Sequence, residues 1–186
     1  TSSRRQRQMC IRDRYYLTDL VSYAQRTKNK VGSYSIDQEE VLGANNKHEL
    51  SDLYKAMVAL NIRAAKQKGT IFKDEDTCYV EGELKVGKDV KIGNNVTLKG
   101  NVQLGDNVVI ESNCLISNSK ILKGTIIKDF CAIEDSKIAS NVEVGPFARL
   151  RSGAILESSS KVGNFVEIKN SKIGEGSKAN HHAYLG

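Results

Sequence analysis

From Val80 to Leu185 an aliphatic residue returns at almost every sixth position. The series runs Val80, Val86, Ile92, Leu98, Leu104, Ile110, Ile116, Ile121, Ile127, Ile133, Ile138, Val144, Leu150, Leu156, Val162, Ile168, Ile173, Ala179 and Leu185. Eighteen of these nineteen positions are Val, Ile or Leu, so the pattern cannot be accidental. A period of six suits neither one long helix nor one long strand. It requires short strands turning corners, each strand bonded to the copy one coil away. Such a β-solenoid buries one aliphatic row per side and needs no aromatic core. That accounts for a chain with no Trp and only 6% aromatic residues. Three hexads make a triangular coil of eighteen residues.

Gly often follows the aliphatic residue directly, as at Gly87, Gly93, Gly105, Gly145, Gly163, Gly174 and Gly186. Four residues after it, small or β-branched side chains prevail, among them Val90, Val102, Cys114, Thr125, Cys131, Ala148, Val166 and Ala183. Three repeats hold five residues instead of six. They begin at Ile116, Ile133 and Ile168 and end in NSKI, DSKI and NSKI. Counted in coils, all three lie on one side of the prism, which opens with Val80, Leu98, Ile116, Ile133, Leu150, Ile168 and Leu185. The deletions are therefore positional. Cys114 and Cys131 fall one coil apart on another side, both inward. A disulfide is conceivable there, but buried thiols serving as small hydrophobes are the expected reading. No cysteines form a CxxC pair, so zinc and redox motifs are not expected. The default compartment is reducing, hence cytoplasmic.

The first seventy residues have a different texture. Tyr15 to about Arg26 reads as a short amphipathic helix, and KVGSYSI (30–36) as a strand. A second helix is predicted from Asn46, a good N-cap with Glu49 three residues on. Leu50, Leu53, Met57 and Leu60 recur along it at helical spacing as one apolar face, and Gly69 marks its end. No apolar run approaches the ~20 residues needed to span a bilayer. Net charge is +6, but residues 1–14 carry five Arg and one Asp. They read either as a nucleic-acid arm or as a non-native lead that belongs to no fold. Without them the charge is near +2, so no nucleic-acid partner is expected.

Two clusters could carry chemistry. Arg151 and Lys169 each follow a row-leading aliphatic, on one side and one coil apart. Stacked strands lie ~4.8 Å apart, where two outward cations repel by ~3 kcal/mol at an effective dielectric of about 20. An anion between them would reverse that cost, and Arg's planar fork suits a phosphate. Two solvated cations pointing apart satisfy the same spacing. His181 and His182 lie in the hexad led by Ala179, the one row position that is not Val, Ile or Leu. Adjacent strand residues point to opposite faces, so at most one is expected to serve a given site. The only other histidine is His48, so zinc is not expected. A general base and a satisfied surface pair both remain open.

The hexad resembles the left-handed parallel β-helix of the hexapeptide-repeat acyltransferases. VGPFARLRSGA, VGNFVEIKNSKIGEGSKANHHAYLG and LGANNKHELSDL together resemble one bacterial family. It is the bifunctional N-acetylglucosamine-1-phosphate uridyltransferase / glucosamine-1-phosphate N-acetyltransferase. The likeness runs from about Tyr15 to Gly186. It implies an internal fragment: a uridyltransferase domain ending over 15–46, a linker helix over 47–69, and a truncated left-handed β-helix acetyltransferase domain over 70–186. It implies acetyl transfer from acetyl-CoA to glucosamine 1-phosphate, then uridylyl transfer from UTP, giving UDP-N-acetylglucosamine for cell-wall precursors. It matches His181 to the catalytic histidine, and Arg151, Lys169 and Tyr184 to residues holding the sugar phosphate. It matches Asn45 to an asparagine that binds Mg²⁺ and the UDP-sugar, although from the sequence alone Asn45 reads as a turn residue. It implies a homotrimer with most of the acetyl-CoA site beyond Gly186, and a fragment inactive alone. Asn180 and His182 depart from the family's usual residues, and so does Arg14. The alternatives are another sugar nucleotidyltransferase whose β-helix is not catalytic, and a scaffold solenoid.

Overall fold

In a computed structural model of the chain, residues 19–35, 43–44 and 46–186 are described. They fall in two compact units divided between Leu42 and Gly43. The first unit contributes one described element, helix α1 (Asp19–Arg26), none of whose residues is buried. The strand expected over 30–36 is not formed across 30–35, which carry no regular structure. Val31 and Tyr34 are exposed, so this stretch buries no apolar face that would hold it in a sheet. Ile36 and the start of the predicted first helix, Tyr15–Thr18, lie outside the described residues.

The second unit opens with helix α2 (Lys47–Gln67). Asn46 caps it: its Oδ1 accepts from the amides of His48 and Glu49, and its Nδ2 donates to Glu49 Oε1. Two otherwise orphaned donors of the first turn are thereby satisfied. Gly69, at φ 91, stands just past the end. The packed face matches the expected one only in part. Ile62 and Ala65 are buried and Val58 partly buried against the core; of the expected face Leu53 and Leu60 are partly buried, whereas Leu50 and Met57 stay about half exposed. Asn61 Nδ2 reaches the carbonyls of Val80 and Gly82 at 3.2 and 3.3 Å, and Tyr54 stacks on Tyr79. The helix thus covers the free edge of the first coil, where unpaired backbone groups would otherwise stand.

The rest is a parallel β-solenoid. One side is a seven-stranded parallel sheet carrying Phe72, Ile92, Ile110, Ile127, Val144, Val162 and Ala179 in register. The other two sides are joined by two eight-residue strands, Tyr79–Val86 and its partner Thr97–Leu104, which continue over a corner. The side opened by Val80 stacks Leu98, Ile116, Ile133, Leu150, Ile168 and Leu185 in direct register, as the coil count requires. The aliphatic rows form a continuous core, and only Val86, Ala179 and Leu185, in the first and last coils, are partly exposed.

The three five-residue repeats turn their corner on Asn118, Asp135 and Asn170, all left-handed at φ 44–45. Asn and Asp tolerate that conformation better than other non-glycine residues. The shortened corner brings a serine inward. Ser119 and Ser136 are buried, and each hydroxyl donates at 2.7 Å to a carbonyl two residues back. A buried hydroxyl so satisfied costs little.

Candidate active site

The side carrying Leu150, Ile168 and Leu185 also carries the predicted cations. Arg151 N donates to Ile168 O, and Lys169 N to Leu185 O, both at 2.8 Å. Arg151 and Lys169 therefore occupy equivalent positions in successive coils. Tyr184 sits on the same side, in register with Glu167, and is well exposed. His181 and His182 lie on the corner that leads into this side from Ala179. Four of the expected residues are thus gathered on the last two coils. The fifth, Asn45, lies outside the described residues.

Two expectations need correction. Arg151 is not an unpaired cation: its Nη1 donates to Glu167 Oε1 at 2.9 Å. Outward residues one coil apart are close enough for this, so the carboxylate relieves the repulsion that a bare pair would carry. Both side chains keep about a third of their surface exposed, and the pair contributes at most ~1 kcal/mol. Lys169 is exposed and has no ion-pair partner among the described residues. The histidines, too, are not on alternate faces of a strand. They occupy a bend, both are exposed, and His182 is left-handed at φ 49. Their rings meet edge to face, 5.7 Å between centroids and 87° between planes.

A feature missed in the sequence lies beneath them. Phe130, Phe147, Phe165 and His182 occupy the same corner in successive coils and stack ring on ring. Their spacings of 17, 18 and 17 residues follow the coil lengths and could have revealed the ladder. The bend is also held from below. Gly163 N donates to Ala179 O at 2.7 Å, and a Cβ on Gly163 would fall 1.3 Å from the carbonyl oxygen of Asn180.

Other chemistry-bearing groups stand apart from this cluster. Cys114 and Cys131 are buried and free, one coil apart. The Cys114 thiol is pushed up, first by its hydrogen bond with Cys131 and then by burial; burial likewise raises Cys78. Cys114 and Cys78 are therefore poor nucleophiles. On the seven-stranded side, Glu143 bridges Lys128 and Lys161, and those hydrogen bonds hold its carboxyl below the usual range. A groove of about 800 Å³ between α2 and the first coil is lined by Val58, Ile62, Arg63, Lys66, Glu75 and Tyr79, among others, and touches none of the expected site residues. Among the described residues no group of three or more His, Cys, Asp or Glu could hold a metal ion.

Residues 76–178 match the family described as the GMPPB C-terminal domain. The chain belongs to that family. It is also 43% identical over 173 residues to the bifunctional protein GlmU of Chromobacterium violaceum, and 47% identical over 173 residues to that of Pseudomonas fluorescens. Each alignment takes in 92% of this chain and 38% of the relative, so the chain spans well under half the length of these proteins. The resemblance carried by the motifs therefore extends over nearly the whole sequence. Among solved structures, the UDP-N-acetylglucosamine acyltransferase of Francisella novicida matches with TM-score 0.42 and 17% identity, over 64% of this chain and 59% of that one.

Proposed function

We propose that this chain is a segment of a bifunctional enzyme of UDP-N-acetylglucosamine synthesis, and that its solenoid belongs to the acetyltransferase part. The observation that carries the proposal is the 40–47% identity to bifunctional GlmU proteins over 92% of the chain. The gathering of Arg151, Lys169, Tyr184 and His181 on the last two coils supports it. Arg151 and Lys169 would bind the phosphate of glucosamine 1-phosphate. A phosphate placed there gains two cationic contacts, one of them from Arg's planar fork. Tyr184, exposed beside them, would hold the sugar through its hydroxyl. His181, exposed on the bend beside them, would be the base that accepts the proton.

In the proposed step the amino nitrogen of glucosamine 1-phosphate attacks the thioester carbonyl carbon of acetyl-CoA. A C–N bond forms, the C–S bond breaks, and the sulfur leaves with the electron pair. His181 takes the proton released by the nitrogen and can return it to the departing thiolate, so the products are N-acetylglucosamine 1-phosphate and coenzyme A. Uridylyl transfer from UTP belongs, in this reading, to a part of the longer protein outside the solenoid. Asn45, assigned there to Mg²⁺ and the UDP-sugar, lies outside the described residues. A homotrimer and a cytoplasmic location complete the proposal. Three free buried cysteines suit a reducing compartment, and no described helix is long and apolar enough to cross a membrane.

The test is acetylation of glucosamine 1-phosphate by the full-length protein, followed as thiol release from acetyl-CoA. His181→Ala should lower kcat by roughly 10²–10⁴-fold, the usual contribution of a positioned base. Undiminished acetyl transfer by that variant would overturn the assignment.

A further inference from the structure

One histidine of the pair serves as the proposed base, and the other has no task in that step. His182 is nonetheless the more tightly placed of the two. Phe130, Phe147, Phe165 and His182 all adopt left-handed backbone, at φ 60, 55, 55 and 49. Bulky non-glycine residues rarely do so, yet this corner repeats it coil after coil. The rings lie almost parallel: 4.8 Å and 1° between the first pair, then 5.2 Å and 17° for each of the next two. The three phenylalanines are about half exposed, so the ladder is built on the outside of the prism and adds nothing to its core. His182 is the rung that follows Phe165, and its amide donates to Asn164 O at 3.2 Å.

With one face resting on Phe165, the His182 ring cannot turn freely about its own side-chain bonds. Its remaining contact is the perpendicular one with His181, a geometry that aromatic rings prefer. His181 is exposed and has no hydrogen-bond partner of its own among the described residues. An exposed base with nothing to orient it samples many rotamers, and a misplaced reacting group loses most of its advantage.

We propose that His182, seated on Phe165, is a positioning residue that holds the His181 imidazole in the orientation needed for proton acceptance. The proposal rests on His181 being the base. It requires of His182 a flat ring, not a titrating nitrogen.

The test uses full-length protein and acetylation of glucosamine 1-phosphate by acetyl-CoA. His182→Ala should lower kcat about ten- to a hundredfold, the cost of a displaced catalytic group, with both KM values little changed. His182→Phe should restore kcat to near wild type, and Phe165→Ala should share the defect of His182→Ala. Wild-type kcat in His182→Ala would overturn the proposal while leaving the base in place. Equal defects in His182→Ala and His182→Phe would overturn it by showing that the nitrogen matters. Wild-type turnover in His181→Ala would remove the base itself, and with it the need to position one.

Discussion

Arg151 Nη1 donates to Glu167 Oε1 at 2.9 Å, from one coil to the next. The pair fixes where the guanidinium fork stands while leaving its other donors free. If this fork holds a phosphate, its loss should be felt in binding more than in folding. Arg151→Ala is expected to raise KM for glucosamine 1-phosphate about tenfold or more, the worth of a hydrogen bond to a charged group. The melting temperature should barely move, because a half-exposed pair contributes ~0–1 kcal/mol. Steady-state kinetics beside a thermal melt decide it. A large fall in melting temperature with KM unchanged would make the pair structural.

Gly163 is pressed against Asn180. Alanine there cannot fit without moving the backbone of the last coil, since its Cβ would lie 1.3 Å from the Asn180 oxygen. Gly163→Ala should cost about 1–3 kcal/mol, as overpacking does, and the loss should be local. The amides of Gly163, Glu167 and Lys169, which donate to Ala179, Ala183 and Leu185, should exchange faster with solvent than those of the inner coils. Unaltered exchange at these three positions would contradict the close approach.

What was legible in the sequence was whatever the coil repeats. Burial of an aliphatic at every sixth residue leaves a period that composition cannot hide, and the register followed by counting, through the shortened repeats as well. What escaped was polar or local. Ser119, Ser136 and Ser160 are buried, but a serine among Asn and Lys reads as a corner until its hydroxyl is seen bonded to a nearby carbonyl. The phenylalanine ladder was written at coil spacing, yet exposed aromatics give no sign of stacking until the register is known. The strand rule that places adjacent residues on opposite faces does not hold for the two histidines, because they stand at a bend. Glu167 was missed because nothing in a linear sequence marks it as the neighbour of Arg151.

Acid should loosen the seven-stranded side. Hydrogen bonds from Lys128 and Lys161 depress Glu143 below its ordinary value of 4.5. A carboxyl depressed in the fold adds stability above its unfolded pKa and loses it as pH falls through the folded one. At neutral pH, Glu143→Gln should therefore be less stable than wild type by up to ~1 kcal/mol. The gap should shrink as the pH drops below about 4.5 and close once the pH has fallen through the lower folded pKa, because both proteins then lack the charge. Thermal melts across that range measure it, and a gap independent of pH would show that the bridge contributes nothing through ionisation.

Helix α2 carries two apolar stripes, and the fold buries one of them more deeply than the other. Ile62 is 7% exposed against the first coil, whereas Met57 is 53% exposed on the other stripe. Truncating a buried isoleucine removes its transfer energy and leaves a cavity, so Ile62→Ala should cost about 2–4 kcal/mol. It should also weaken the hold of Asn61 on the Val80 and Gly82 carbonyls, because both residues lie on the same turn. Met57→Ala should change stability by no more than ~0.5 kcal/mol, as exposed substitutions do. Chemical denaturation of the two variants separates the stripes. Comparable losses would mean that something covers Met57 in solution, and the exposed stripe would then be a buried one.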